Sequence, residues 1–230
     1  MIGIICALKI EVDGLKELME NAEVTKKAGL EFTSGKIFDK DVVLLECGKG
    51  KVNAAVGAQI MIDLFKPDAI ISSGIAGSLA KGVTVGDIVI STDCVEHDIN
   101  CTALEEPRGQ IWFPDEKRID IPADEELCGK LAECCTNLGA HVRKGRIATG
   151  DMFITYVRQR EFIAFEFEAI CCEMEGGAVG HVCYMNKVPF AILRSISDDL
   201  KFNKPENYEE FKQLAVEREI KALKKFIQMD

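Results

Sequence analysis

The chain runs to 230 residues, 47% of them apolar and 29% charged, with a formal net charge of −10. That length carries one sizeable core, and the composition is that of a globular protein, not a disordered or collagen-like one. The acidic field repels phosphate backbones and anionic bilayers, which excludes nucleic acid and membrane as partners and leaves a small neutral or cationic ligand.

In chain order, short apolar runs alternate with amphipathic stretches. Ile2–Ala7 reads as a buried strand, after which Leu15, Leu18, Met19 and Ala22 repeat at helical spacing. Leu30–Phe38 and Val42–Cys47 read as a strand pair turning near Asp39. Gly50–Phe65 is helical until Lys66-Pro67-Asp68 stops it, and Ala69–Ser73 is a strand. A glycine-rich turn, Ser73-Gly74-Ile75-Ala76-Gly77-Ser78, ends that strand, and Asp87–Val95 is the next. Glu105 to Pro122 is loose. Then follow a helix over Asp124–Leu138, an extended run His141–Thr149 and a helix Arg158–Phe167. A strand Ala169–Glu173, a helix Gly176–Met185 and a strand Pro189–Ile196 complete the alternation. The last helix carries a stripe of Phe211, Leu214, Val216, Ile220, Leu223 and Ile227 that suits packing on a sheet. The expectation is one α/β domain over residues 1–230, with a central mixed, mostly parallel sheet flanked by helices.

Ten cysteines raise the question of disulfides or zinc. CxxC pairs are absent, Cys134-Cys135 and Cys171-Cys172 are adjacent pairs, and many of the ten sit in apolar runs where cysteine acts as a small hydrophobe. Met1–Leu8 is too short an apolar run to export or span. The expected setting is reducing and cytoplasmic. His97, His141 and His181 lie far apart and lack partners at ligand spacing, so no metal and no cofactor is expected.

In such sheets ligands gather at the carboxyl ends of strands. Polar groups cluster there: Glu11 after the first strand, Glu173-Met174-Glu175 before Gly176-Gly177, and Arg194-Ser195-Ile196-Ser197-Asp198-Asp199 closing the strand from Pro189. Gathered carboxylates repel one another and raise at least one pKa, which sets a protonated acid beside an ionised base. Paired carboxylates of this kind split acetal-like bonds through an oxocarbenium-like transition state. Each cluster also has a plainer reading, as a dipole-favoured surface glutamate, an N-cap or a strand-end ion pair. Spacing alone reaches an α/β enzyme of acid–base type.

Seven segments in order extend this. Ile2-Gly3-Ile4-Ile5…Ala7…Glu11 with Cys47-Gly48-Lys49-Gly50-Lys51-Val52-Asn53-Ala54-Ala55, Ser73-Gly74-Ile75-Ala76-Gly77, Val85-Gly86-Asp87-Ile88-Val89, His97-Asp98, Thr149-Gly150-Asp151-Met152-Phe153-Ile154, Glu173-Met174-Glu175 and Arg194-Ser195-Ile196-Ser197-Asp198 span nearly the whole chain. The set resembles the methylthioadenosine/S-adenosylhomocysteine nucleosidases of the nucleoside phosphorylase superfamily. The resemblance implies a partly barrel-like sheet, a homodimer, and hydrolysis of 5′-substituted adenosines. It implies Asp198 as the acid that protonates purine N7, oriented by Ser197, and Glu11 as the group that activates water, with Arg194 nearby. Glu175 would bind the ribose hydroxyls beside Glu173, Met174 would pack under the sugar, Phe153 would stack on adenine, and the Ile154 backbone would pair with the base edge. Tyr208 would close over the 5′ substituent.

Three positions depart from the family's pattern. Ile75 stands where a small hydroxyl residue is frequent, Lys49 where an aliphatic one is usual, and Leu104 where an aromatic residue serves the dimer. Lys49 either points to solvent or pairs with a 5′ arm ending in a carboxylate. Phosphorylases of the superfamily carry a Gly-Asp-x-x-Arg-type segment after the first strand; Lys9-Ile10-Glu11-Val12 puts a carboxylate there, which repels phosphate and admits water. The alternatives are a futalosine hydrolase, a purine nucleoside phosphorylase, and a non-catalytic nucleoside-binding protein.

Overall fold

The computed structural model describes residues 1–198 and 208–229, the side chains of 208–211 excepted. Its strands are β1 Ile2–Cys6, β2 Glu20–Lys27, β3 Leu30–Ile37, β4 Lys40–Glu46, β5 Ala69–Ser78 and β6 Ile88–Glu96. They continue as β7 Ile111–Trp112, β8 Lys117–Arg118, β9 Asp120–Pro122, β10 Val142–Thr149, β11 Ala169–Glu173 and β12 Phe190–Asp198. The α-helices are α1 Lys9–Lys16, α2 Lys51–Phe65, α3 Glu125–Asn137, α4 Val157–Phe167, α5 Gly176–Asn186 and α6 Tyr208–Met229.

The main sheet runs β11-β10-β6-β12-β5-β1-β4-β3-β2, with β9 on β6. Much of it is parallel (β1 with β4 and β5, β5 with β12, β10 with β6 and β11), while β12 with β6, and β2, β3 and β9 with their neighbours, pair antiparallel. β5 pairs again near its end, Gly77 and Ser78 meeting Cys172 and Cys171 of β11. That contact closes β5, β12, β6, β10 and β11 into a barrel, the mixed α/β form expected.

Alternation along the strands builds two cores. Ile5, Val43 and Leu45 pack under α2 and α5 with Ala58, Met61 and Val179. Ile4, Val42 and Leu44 face the other way, onto Leu15, Leu131, Leu223 and Phe226 of α1, α3 and α6. Successive strand side chains point to opposite faces, and a central strand covered on both sides must be apolar throughout. A third cluster lies under α4, with Val95, Ala148, Ile163 and Phe167. All ten cysteines are free thiols; burial pushes those of Cys47 and Cys183 up to about 12. Among the described residues no helix is long and apolar enough to cross a membrane.

Four sequence expectations need correction. The helix does not reach Ala22: it stops at Lys16, and Glu20–Lys27 becomes an edge strand whose backbone finds ladder partners in β3. Ser73–Ser78 is not a turn but the second half of β5, paired to β12 and β11, so every ladder position there has a strand beside it. The loose stretch holds β7, β8 and β9. In α6, Leu214 is exposed, and the buried face runs through Ala215, Val216, Glu219, Ala222, Leu223, Phe226 and Ile227; the Phe211 side chain lies outside the described residues.

Candidate active site

The carboxyl ends of β1, β5, β11 and β12 open into one cleft of about 790 Å³, counted to its mouth. Clefts lined by apolar groups with a few converging polar ones are the usual form of small-ligand sites. Glu11, Lys49, Ile75, Phe153, Glu173, Met174, Glu175, Ser197 and Asp198 all line it. Ile154 lines a small extension beside Asp198 and Met174. Arg194 lies behind the wall, and the Tyr208 side chain and Asp199 fall outside the described residues.

One end of the cleft gathers three glutamates around one arginine. Glu11 is the third residue of α1 and turns back on the helix start, so that its Oε2 accepts from the amides of Leu8 at 2.8 Å and Ala7 at 3.0 Å. Helix N-termini leave such amides unpaired and favour an anion there. Glu173 ends β11, and its Oε2 accepts from the amides of Glu175 at 2.9 Å and Gly176 at 2.6 Å, capping α5 in the same way. Thr149 donates to its other oxygen. Glu175 Oε1 takes the Gly50 amide at 2.8 Å; the positive φ of 96° at Gly50 aims that amide into the cleft.

Arg194 is 1% exposed. It bonds Glu173 through Nη2 and through Nε at 3.2 Å, and Ser72 through Nη1 to the carbonyl at 3.0 Å and Nη2 to Oγ at 3.1 Å. A single guanidinium therefore compensates Glu173 directly and Glu11 and Glu175 at longer range. Burial alone would raise the Glu173 pKa, but Arg194, Thr149 and the Gly176 amide hold it below the ordinary carboxylate value. Burial raises Glu11 against the Leu8 amide and Arg194. Burial and then the Glu173 charge push Glu175 up to about 7. The set offers an ionised carboxylate, a more basic one and one that titrates near neutrality.

The other end is organised by β12 and α4. Ser197 Oγ donates to Asp198 Oδ1 at 3.0 Å, and Arg160 Nη2 pairs with Asp198 Oδ2. Arg160 also donates to the Ile154 carbonyl at 2.9 and 3.1 Å, through Nη2 and Nε. The same guanidinium thus fixes the acidic group and the backbone of the loop carrying Phe153. Gly77 is needed here, since a Cβ would lie 3.0 Å from Asp198 Oδ2. Phe153, 58% exposed, stands at the mouth.

Sequence reasoning missed Arg160, Ser72, Ser73, Thr149 and Glu219. Arg160 had a signal: with Ile163 and Phe167 it falls on the buried face of α4 at positions i, i+3 and i+7. Glu219, at 0% exposure, accepts from Ser73 Oγ at 2.6 Å. Among the described residues no group of three or more His, Cys, Asp or Glu is arranged to hold a metal ion.

The sequence and the architecture match known proteins. The family described as the phosphorylase superfamily matches residues 1–228. The 5′-methylthioadenosine/S-adenosylhomocysteine nucleosidase of Shewanella sediminis is 38% identical over 212 residues, 91% of each chain. The chain belongs to the phosphorylase superfamily, in its methylthioadenosine/S-adenosylhomocysteine nucleosidase family. The nucleosidase of Neisseria meningitidis, solved with methylthio-immucillin-A, superposes with a TM-score of 0.92 at 31% identity, covering 100% of this chain and 99% of that one. A futalosine hydrolase of Helicobacter pylori superposes at 0.91 with 30% identity, covering 100% and 97%. The nucleosidase fold is thus shared across hydrolases that differ in substrate.

Proposed function

We propose that the chain hydrolyses the N-glycosidic bond of 5′-substituted adenosines, such as 5′-methylthioadenosine and S-adenosylhomocysteine, to adenine and the 5′-substituted ribose. The observation that carries this reading is the pair of unlike acidic ends on one cleft, with Phe153 at its mouth. Adenine sits at the Asp198 end, stacked on Phe153, and the Ile154 backbone meets its edge. Asp198, oriented by Ser197, takes up a proton from solvent as the substrate binds and delivers it to N7, so that the base leaves neutral. The ribose sits over Met174 at the glutamate end, its hydroxyls on Glu175, and the surrounding negative charge stabilises the sugar cation. Glu11 takes the proton of the attacking water, Arg194 holding the charge balance behind it.

Water rather than phosphate is favoured because the amides at the start of α1, which would otherwise bind an anion, are taken by Glu11 itself. Lys49 is the only cationic side chain among the described lining residues, and it suits a 5′ arm that ends in a carboxylate. A homodimer fits the exposed Leu104, Trp112, Met152 and Tyr156, and sedimentation velocity reads it. The free thiols fit a cytoplasmic setting.

Adenine release is followed chromatographically in phosphate-free buffer, with 5′-methylthioadenosine, S-adenosylhomocysteine, 5′-deoxyadenosine and futalosine in parallel. Release without phosphate is expected, falling about 10³-fold in kcat in Asp198→Asn. No release from any of the adenosines, or release only on adding phosphate, sinks the reading; turnover of futalosine alone moves it to the other hydrolase.

A further inference from the structure

Glu219 is a buried ionisable group that the proposed chemistry does not use. Glu219 lies in α6, the helix that covers the outer face of β5 and β12, and it is wholly enclosed. Its Oε1 is 2.6 Å from Ser73 Oγ. Its Oε2 is buried and has no hydrogen-bond partner among the described residues. Ser73 lines the cleft, and the next residue, Gly74, passes so close to Glu11 that a Cβ there would lie 3.3 Å from Oε1. Glu219 thus stands one residue behind the strand segment against which Glu11 rests.

The groups around it decide its state. α1 brings Glu11, β12 brings Arg194 and β1 brings Cys6. β5 brings Ser73. α3 brings only the thiols of Cys128, Cys134 and Cys135 to the shared apolar cluster. Arg194, the one cation among these, is already bonded to Glu173 and Ser72. A further buried negative charge would have no direct counter-ion, and an uncompensated buried charge is strongly unfavourable. Burial, then Glu11, accordingly raise the Glu219 pKa well above the ordinary value.

We propose that Glu219 is a positioning residue for the water-activating end: a neutral carboxyl that fixes Ser73 in the cleft wall and leaves Glu11 as the group that ionises. Its proton lies on the carboxyl, and a carboxylic acid can both donate and accept, so Ser73 is held without adding charge beside Glu11. The Glu11 charge raises the Glu219 pKa further, so the two carboxyls titrate as a linked pair. This inference takes the role of Glu11 from the hydrolase reading, but the state of Glu219 does not depend on it.

Two measurements on the full chain test it. Melting temperature is followed from neutral to alkaline pH for the wild type and Glu219→Gln. A folded-state pKa above the unfolded one means stability is lost as pH rises through the folded value. The wild type should therefore lose melting temperature at alkaline pH more steeply than Glu219→Gln, and this holds whether or not adenosines are substrates. In the second arm, kcat and KM for 5′-methylthioadenosine are measured. Glu219→Leu should lose about tenfold in kcat with KM unchanged, and Glu219→Gln should recover most of that loss. Parallel melting curves for the wild type and Glu219→Gln overturn the neutral carboxyl. A Leu variant as active as the wild type, or a Gln variant no better than Leu, overturns the positioning role.

Discussion

At the end of the cleft where β11 meets α5, three glutamates share Arg194; at the other end Asp198 has Arg160 to itself, with Ser197 on its second oxygen. The first end carries surplus negative charge and raises two pKa values, the arrangement that favours a sugar becoming cationic. The second end is charge-balanced and tied to a loop through the Ile154 carbonyl, which favours orientation of a flat base. Bond cleavage between a sugar and a base asks for this asymmetry. In the proposed reaction, electrostatic strain would sit where positive charge develops, and geometric constraint where a proton is delivered.

Removing each arginine should expose the difference most strongly. Arg194→Met leaves Glu173 buried without its counter-charge and should destabilise the fold by about 3–5 kcal/mol in urea titrations. Arg160→Met removes charged hydrogen bonds from a group nearer the surface and should cost about 1.5–3 kcal/mol. Equal losses would show that the two ends are not distinct.

Glu175 sharpens the same contrast. Its folded pKa of about 7 lies above the ordinary value of 4.5. Its stabilisation is therefore fully present below about 4.5 and is lost as pH rises through about 7. The shift corresponds to about 3 kcal/mol. Glu175→Gln should match the wild type near pH 4 and exceed it by about that amount at pH 8, while kcat falls about 10²-fold and the acid limb near pH 7 disappears. Thermal melts and a pH–rate profile read both effects. The smallest effect is expected at the mouth. Lys49→Met should raise KM for S-adenosylhomocysteine about fivefold, as for an exposed ion pair, and leave that for 5′-methylthioadenosine unchanged.

The sequence displayed the sheet's interior well, because β1 and the apolar runs within β4, β11 and β12 are covered on both faces. It concealed β2, whose eight residues are all exposed and whose charges guard a sheet edge instead of packing a core. It also disguised the second half of β5: Gly74 and Gly77 look like turn residues, yet they are small because Glu11, Arg194 and Asp198 approach there. The acidic clusters were visible since each follows an apolar run. Their controllers were not. Arg160 and Glu219 lie within amphipathic helices, where a charge on the buried face differs from one on the solvent face only in phase. Glu219 falls four residues after Ala215 and three before Ala222, on a face offset from the stripe drawn through Leu214 and Ile220.

The position of β12 bears on how the molecule comes into being. It lies between β5 and β6, pairing with both, although those two strands precede it by about a hundred residues. Until residues 190–198 are in place, β5 and β6 have no common neighbour, the barrel is open, and neither Arg194 nor Asp198 has reached the cleft. Contacts of such sequence separation make folding slow, because the loop must close before any pairing rewards it. One strand therefore carries both the closure of the barrel and two of the proposed reactive groups, so that displacing it would open the barrel and remove Arg194 and Asp198 together.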